Sequence, residues 1–277
     1  MKSILRKIWR PKSTHSVPAK GTSELTTVDL SQKVPDATEE QIETILAVQH
    51  QTMTSPERIL ALCQSIEYIV HNKIPGAIVE CGVWRGGSMA AAARSLAQSG
   101  SDDRELWMYD TFEGMSEPTL RDVDFMGNGA AGLLDKQDPN EADSIWCRSP
   151  LEEVEAAMKA TYYPQNKIKY IKGKVEQTLP QQRPEQIALL RLDTDWYEST
   201  RCELEYLFPL LAPGGVLIVD DYGHWNGCRE AVDEYFLNYK IPMLLNRIDY
   251  TGRIGVKTVT TAVGESLGVA GSKTNAA

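Results

Sequence analysis

Three aspartates follow two apolar segments of the sequence, and carboxylates grouped in this way can hold a cation. Residues 187–192 and 216–219 are short, branched and nearly uncharged, which is typical of strands buried on both faces of a parallel sheet. Asp193 follows the first segment, and Asp220 and Asp221 follow the second. Carboxylates brought close together repel one another unless a positive group lies among them.

The two apolar segments are joined by a stretch with helical spacing. Apolar side chains recur along residues 197–211, and Pro213-Gly214-Gly215 is expected to end this helix. A strand, a helix and a second strand form a unit whose strands run parallel, so that both carboxyl ends lie on one edge of the sheet. Open α/β sheets bind their ligands at that edge.

An earlier strand ends in a glycine-rich loop. Residues 77–81 predict the first strand, and Gly82, Gly86 and Ser88 lie in the loop before an alanine-rich helix at residues 89–96. Such a loop lets the backbone approach a nucleotide-like ligand and presents helix N–H groups to an anion. The spacing is neither G-x-G-x-x-G nor a P-loop, which weakens a dinucleotide or nucleoside-triphosphate interpretation.

An acid closes the second predicted strand. Residues 106–109 end at Asp110, which is placed to hydrogen-bond both hydroxyls of a ribose. S-adenosylmethionine fits this combination: its ribose would be bound by Asp110, its carboxylate by the amides from Gly86 to Ser88, and its ammonium by an acid such as Glu80. Phe112, Lys174 and Val175 follow strands two and three, where an adenine would lie.

The remaining sequence completes an α/β pattern. We expect a third strand at residues 168–171, a closing hairpin from residues 242–248 and 254–259, and a long polar loop over residues 116–150. The predicted organisation is a basic leader with little fixed structure (1–37), N-terminal lid or oligomerisation helices (38–74), an α/β ligand-binding domain (75–260) and a mobile tail (261–277).

Composition limits the function classes. The 277 residues carry a net charge of −9 and 42% hydrophobic residues, which disfavours general nucleic-acid binding and allows one substantial core. No apolar run approaches the roughly 20 residues of a transmembrane helix. Five cysteines without a C-x-x-C pair suit reduced thiols, and we expect a cytoplasmic protein.

Four motifs, in order, resemble one known family. VECGVWRGGS, YDTFEGM, LRLDTDWYEST and PGGVLIVDDYG are similar to motifs of the macrocin O-methyltransferases, which methylate sugar hydroxyls in bacterial natural products. The resemblance spans roughly residues 52–259. It implies a Rossmann-like class I methyltransferase fold, with a seven-stranded, mostly parallel sheet, a C-terminal antiparallel hairpin and N-terminal lid helices.

The resemblance also assigns site residues. It implies a Mg²⁺ site at Asp193, Asp220 and Asp221, and a hard all-oxygen site would also accept Mn²⁺ or Ca²⁺. Asp195 is the nearest alternative ligand. Thr52 and Met53 match a family position beside S-adenosylmethionine.

The general base stays open between two residues. A divalent ion would lower the pKa of a sugar hydroxyl that it binds. Some relatives are thought to use the aspartate of strand four, here Asp193, and others a histidine of the long loop. This chain has no histidine between His71 and His224, so His224 is the alternative to Asp193.

The main hypothesis is methylation of one hydroxyl of a sugar vicinal diol, and two alternative functions stay open beside it. A catechol-type phenol could replace the sugar, or the chain could be a Rossmann-like protein that binds NAD or another ligand without methyl transfer. The intact aspartate trio and the absent G-x-G-x-x-G disfavour the latter. The expected partners are a small-molecule glycoside or sugar and, because relatives assemble through N-terminal helices, a second copy in a homodimer or larger oligomer.

Overall fold

The computed structural model describes residues 24–141 and 144–258. Its strands form a single seven-stranded sheet in the order β3-β2-β1-β4-β5-β7-β6. β1 to β5 are parallel, whereas β7 runs antiparallel to both β5 and β6. The predicted α/β fold with a C-terminal antiparallel hairpin is therefore confirmed. The strands are β1 (Ala77–Cys81), β2 (Leu106–Asp110), β3 (Ile168–Lys172), β4 (Ile187–Leu192), β5 (Leu211–Val219), β6 (Asn246–Arg247) and β7 (Arg253–Val256).

Helices cover both faces of the sheet. One apolar core lies under α1 to α4 and α6, and the other lies under α7 to α9. Successive apolar residues of β1 point alternately into the two cores, as a buried parallel strand requires, whereas in β4 the alternation is interrupted at Ala188 and Leu189, where the pairing register shifts. The helices are α1 (Thr27–Lys33), α2 (Glu39–Val48), α3 (Pro56–His71), α4 (Gly87–Gln98), α5 (Ala130–Leu134), α6 (Leu151–Lys159), α7 (Val175–Thr178), α8 (Tyr197–Leu207) and α9 (Asn226–Asn238), with 3₁₀ turns at Gln165–Lys167 and Phe208–Leu210.

The N-terminal segment is more ordered than the sequence predicts. Residues up to 37 were expected to lack fixed structure, but α1 begins within them, at a capping box formed by Thr26 and Asp29. Leu30 anchors this helix because its side chain is completely buried in the core. The remainder of the predicted leader (1–23) and the predicted tail (261–277) lie outside the described residues. Within the described part of the chain, no helix is both long and apolar enough to cross a membrane.

The end of α8 differs from the prediction. The sequence places the helix end at Pro213-Gly214-Gly215, but α8 ends at Leu207 and a 3₁₀ turn containing Pro209 follows it. The proline and the two glycines lie inside β5, which begins at Leu211. Pro209 ends the helix earlier because proline cannot donate to the preceding turn.

The long polar segment after β2 is fixed by two buried aspartates. Asp122 accepts hydrogen bonds from the Thr119 amide at 2.6 Å and from the Tyr197 amide, the first of α8, at 2.8 Å. Asp124 accepts from both the amide and the side chain of Asn128 at 2.8 Å. A buried carboxylate needs such donors, so these bonds hold the segment against the carboxyl edge of the sheet.

Candidate active site

A cavity of about 480 Å³ lies at the carboxyl edge of the parallel strands. It brings together most of the residues that the sequence analysis selected. Those in its lining are Thr52, Met53, Gly82, Ser88, Asp110, Lys174, Val175, Asp193, Asp220 and Asp221. Glu80, Gly86 and Phe112 were also selected, but they do not line it. The volume is in the range of cavities that hold drug-sized ligands.

The sheet ladder positions two of the aspartates. The Asp193 amide donates to the Cys81 carbonyl of β1, and the Asp220 amide donates to the Leu192 carbonyl of β4, each at 2.9 Å. These bonds continue the parallel pairing one residue beyond the strands. Asp193 and Asp220 therefore leave neighbouring strands at the same level, which brings their side chains together.

The three aspartates form a compact oxygen cluster. One carboxylate oxygen from each of Asp193, Asp220 and Asp221 lies within 4.8 Å of the other two. Among the described residues, the buried Asp221 Oδ2 has no hydrogen-bond partner. Burial raises the pKa of Asp193 and Asp221 well above the usual range, and their carboxylate neighbours add to the increase. An orphaned oxygen among closely spaced hard donors fits a divalent cation such as Mg²⁺.

Arg191 contacts the aspartate cluster, and the sequence analysis did not select it. It lies directly opposite Glu80 in the pairing of β4 with β1, and its side chain is 4% exposed. Nη1 contacts Glu80 and Asp193 at 2.5 Å each, and Nη2 contacts Asp220 at 2.6 Å. A signal was present in the sequence, since an arginine inside an otherwise apolar strand must find buried acids.

Arg58 ties the N-terminal helices to the same cluster. It lies in the first turn of α3 and contacts Asp220 through Nη1 and Asp249 through Nε, the latter at 3.0 Å. The Ser55 hydroxyl donates to Asp249 at 2.8 Å. The bodies of α2 and α3 pack beside α4, and of the described N-terminal residues only those between Gln51 and Arg58 border the cavity. A role for this segment as a lid remains a prediction.

Asp195 also faces the aspartate cluster. It adopts a left-handed backbone conformation with φ of 68°, and its Oδ1 accepts a hydrogen bond from Trp225 Nε1 at 2.7 Å. Burial, with Asp193 as the next contribution, raises its pKa to about 8. Its carboxylate lies outside the group of three oxygens that meet within 4.8 Å, so it remains the alternative ligand.

The glycine loop allows very close backbone approach at two points. A Cβ on Gly82, whose φ is 79°, would lie 2.0 Å from the Asp193 carbonyl oxygen. A Cβ on Gly87 would lie 2.4 Å from the Gln51 carbonyl oxygen, which accepts the Gly87 amide hydrogen bond. Only glycine fits there, and the segment before α3 can therefore touch the start of α4.

Asp110 is held by the backbone of the glycine loop. Its Oδ2 accepts from the amides of Val83 at 2.6 Å and Trp84 at 3.1 Å, and its Oδ1 accepts from the amide of Phe112 at 2.7 Å. Burial raises its pKa, and these hydrogen bonds oppose the increase. The carboxylate is fixed in the cavity wall, as a ribose-binding acid would need to be.

Three selected residues lie behind the cavity wall. Glu80 is 1% exposed and bonded to Arg191, and burial raises its pKa to about 7. Phe112 is 4% exposed in the core that contains α4. The amide of Gly86 donates to Val83, so Ser88 is the better placed residue for an anion at this helix start. Cofactor contacts for all three remain predictions.

The cavity wall around His224 is aromatic. His224 forms edge contacts with Phe125 and Trp225, with ring centroids 5.4 and 4.8 Å apart. Its Nδ1 lies 3.3 Å from the Tyr250 hydroxyl, and burial lowers its pKa. Trp196, His224, Trp225 and Tyr250 line the cavity, so this wall offers ring surface to a ligand, whereas Phe125 is not part of the lining.

Comparisons with known proteins agree with this geometry. The profile of the family described as Macrocin-O-methyltransferase (TylF) matches residues 5–255. A Streptomyces olivaceus protein, 8-demethyl-8-(2,3-dimethoxy-alpha-L-rhamnosyl)-tetracenomycin-C 4'-O-methyltransferase, is 34% identical over 76% of this chain and 77% of its own. Demethyldecarbamoylnovobiocin O-methyltransferase of Streptomyces niveus is 32% identical over 73% of each chain.

Solved structures of O-methyltransferases are also similar to this chain. The O-methyltransferase NovP superposes with a TM-score of 0.65 at 32% identity, over 75% of this chain and 82% of its own. The calicheamicin methyltransferase CalS11 has a TM-score of 0.57 at 18% identity, and the superposition covers 87% of this chain and 99% of CalS11. At this identity the similarity supports the fold alone. The fold is that of class I O-methyltransferases. The chain belongs to the macrocin O-methyltransferase family and is an O-methyltransferase.

Proposed function

We propose that this enzyme uses S-adenosylmethionine and Mg²⁺ to methylate one hydroxyl of a vicinal diol on a sugar, of the kind found in bacterial secondary metabolites or polysaccharides. One observation carries the proposal. The three aspartate oxygens within 4.8 Å of one another line the same cavity as Asp110 and the glycine loop. A candidate cation site and a candidate nucleoside site thus share one chamber.

The charge of the chamber favours cationic ligands. Six carboxylates line it. Among the described residues, only two lysine or arginine side chains line it, those of Arg58 and Lys174. A divalent cation and a sulfonium with its ammonium group would offset this excess. The aspartate cluster would hold the cation, and Asp110 with Ser88 would hold the ribose and carboxylate of S-adenosylmethionine.

Bound Mg²⁺ would act as a Lewis acid that lowers the pKa of a hydroxyl coordinated to it. The protein's own contribution is then mainly orientation. Asp193 borders the cavity with a side chain 26% exposed, so it is placed to accept the hydroxyl proton. His224 is the alternative acceptor, and it lies on the aromatic wall beside Tyr250.

The sugar acceptor is supported by a relative. The Streptomyces olivaceus protein is named for methylation of a rhamnosyl-tetracenomycin, and the match covers 76% of this chain and 77% of its own. A catechol-type phenol is the second candidate because Trp196 and Trp225, whose rings are 4.9 Å apart, also line the cavity and could contact a flat acceptor.

A methyl-transfer assay separates these acceptors. Purified enzyme is dialysed against EDTA and then assayed with S-adenosylmethionine, with and without added Mg²⁺, on methyl rhamnosides and on catechols. We expect methyl transfer to rhamnosides that depends on added Mg²⁺. Activity that is unaffected by EDTA would refute the metal role, and turnover of catechols alone would refute the sugar acceptor.

A further inference from the structure

Three arginines lie close together where α9 and Tyr222 meet the C-terminal hairpin. Arg247 and Arg253 are directly opposite each other in the antiparallel pairing of β6 with β7. The guanidinium carbons of Arg253 and Arg229 lie 5.1 and 5.7 Å from the centre of the Tyr222 ring. We call Arg229, Arg247 and Arg253 the arginine cluster.

No carboxylate of the described residues forms an ion pair with the arginine cluster. Among the described residues, none of its members has a carboxylate oxygen within 4.0 Å; the arginines that form ion pairs are Arg58, Arg85, Arg121, Arg191 and Arg201. Two acids lie near the cluster but are bonded elsewhere. Asp233 accepts from the Tyr222 hydroxyl, and Asp249 accepts from Ser55 and Arg58.

The guanidinium groups are held by main-chain carbonyls. Arg247 donates to Asp249 and Tyr250, Arg253 donates to Thr251 and Gly252, and Arg229 donates to Tyr222 and Gly223. These bonds fix three cations in place, although like charges opposite each other in a sheet are destabilising. Burial, with Arg247 as the next contribution, lowers the pKa of Arg253. An anion bound there would relieve this repulsion.

The arginine cluster is adjacent to the acceptor side of the cavity. The carbonyls that hold it belong to residues 222–223 and 249–252, and His224, Tyr250 and Thr251 of the same two turns line the cavity. An acceptor whose sugar lies beside His224 could therefore extend past Tyr250 to the cluster. The sugar of such an acceptor would carry its anionic group on the side away from the aspartates.

We propose that the arginine cluster binds the diphosphate of a sugar diphosphate acceptor. The identity of the sugar rests on the proposed function, whereas the anion site does not. Guanidinium forks bind phosphate oxygens in pairs, and a diphosphate supplies enough charge for three arginines. Nucleoside diphosphate sugars and lipid-linked sugar diphosphates share this chemistry. Methylation would then precede the glycosyl transfer that consumes the activated sugar.

The test measures binding directly. Inorganic pyrophosphate is titrated by calorimetry into the full chain with bound S-adenosylhomocysteine, in metal-free buffer, at two salt concentrations. We expect binding that weakens with salt, an affinity at least tenfold lower in Arg229→Gln/Arg253→Gln, and a smaller loss in the charge-preserving Arg229→Lys/Arg253→Lys. Arg201→Gln, on the exposed face of α8 with partners Glu198 and Glu205, is the matched control and should bind as the wild type does.

Two further ligands identify the source of the diphosphate. The same experiments separate the arginine cluster proposal from the proposed methyltransferase function. A nucleoside diphosphate sugar and a short-chain prenyl diphosphate sugar are compared in binding and in methyl transfer. Absence of pyrophosphate binding, or equal affinity in the double glutamine variant and in Arg201→Gln, would overturn the arginine cluster proposal even if neutral rhamnosides are methylated. Arginine-dependent pyrophosphate binding without methyl transfer to any sugar would support the cluster and contradict the proposed function.

Discussion

Replacement of Arg191 by methionine tests whether this residue neutralises the acids beneath the aspartate cluster. The guanidinium is 4% exposed and lies 2.5 to 2.6 Å from carboxylate oxygens of Glu80, Asp193 and Asp220. Removing one partner of a buried ion pair costs about 3–5 kcal/mol. Domains of this size lose about 2–4 °C in Tm per kcal/mol, so the variant should melt about 6–20 °C lower at pH 8.

The loss of stability in Arg191→Met should be smaller at low pH than at pH 8. Without Arg191 the folded-state pKa of Glu80 should rise above its value of about 7, while its unfolded value stays near 4.5. A carboxyl kept neutral above its unfolded pKa costs about 1.4 kcal/mol per pH unit. In the wild type Glu80 already holds its proton up to about pH 7, so only the interval between pH 7 and 8 separates the two proteins. On going from pH 8 to pH 5.5 the variant should therefore regain at most about 1.4 kcal/mol relative to the wild type.

Urea denaturation of the wild type, Arg191→Met and Arg201→Met at pH 5.5 and 8 measures both effects. Arg201 forms exposed i,i+3 and i,i+4 pairs, and such pairs are worth only about 0.3–0.5 kcal/mol. An Arg191→Met variant as stable as Arg201→Met, or one whose deficit is the same at both pH values, would refute the role assigned to Arg191.

Further predictions concern neighbouring residues. Asp193→Asn should abolish turnover but leave S-adenosylhomocysteine affinity within about threefold by calorimetry, since Asp193 is assigned to metal and acceptor; retained turnover with weaker cofactor binding would contradict this. Arg58→Met should strengthen Mn²⁺ binding roughly tenfold, because a positive charge on Asp220 is removed; weaker binding in a Mn²⁺ titration would argue instead for a ligand-orienting role. Burial raises the pKa of Glu203 from 4.5 to about 8, so the wild type should lose stability relative to Glu203→Gln as pH rises from about 4.5 to 8, and urea denaturation showing a constant difference would refute this.

The parallel sheet and its ligand edge could be predicted from local sequence. β1 and β4 match the predicted bounds because each is a short apolar run that ends sharply, at Gly82 and at Asp193. The aspartates that follow β4 and β5 were predicted to meet, since parallel strands bring their carboxyl ends to one edge. The structure brings those side chains together as expected.

Features that depend on distant contacts could not be predicted in this way. Helix α1 forms in a polar segment because Leu30 finds a core built by residues far along the chain. Arg191 and Glu80 become partners only through the pairing of β1 with β4. Asp122 caps α8 from a segment 75 residues away, which no local pattern near Tyr197 reveals.

The most direct test of the central claim is a Mn²⁺ titration followed by electron paramagnetic resonance, with S-adenosylhomocysteine bound, on the wild type and on Asp193→Asn, Asp220→Asn and Asp221→Asn. Asp233→Asn, an exposed acid of α9, serves as the control. We predict one Mn²⁺ site in the wild type and in the control, with affinity reduced at least tenfold in each of the three aspartate variants, because each would lose one hard oxygen ligand. Wild-type Mn²⁺ affinity in all three aspartate variants would contradict the account.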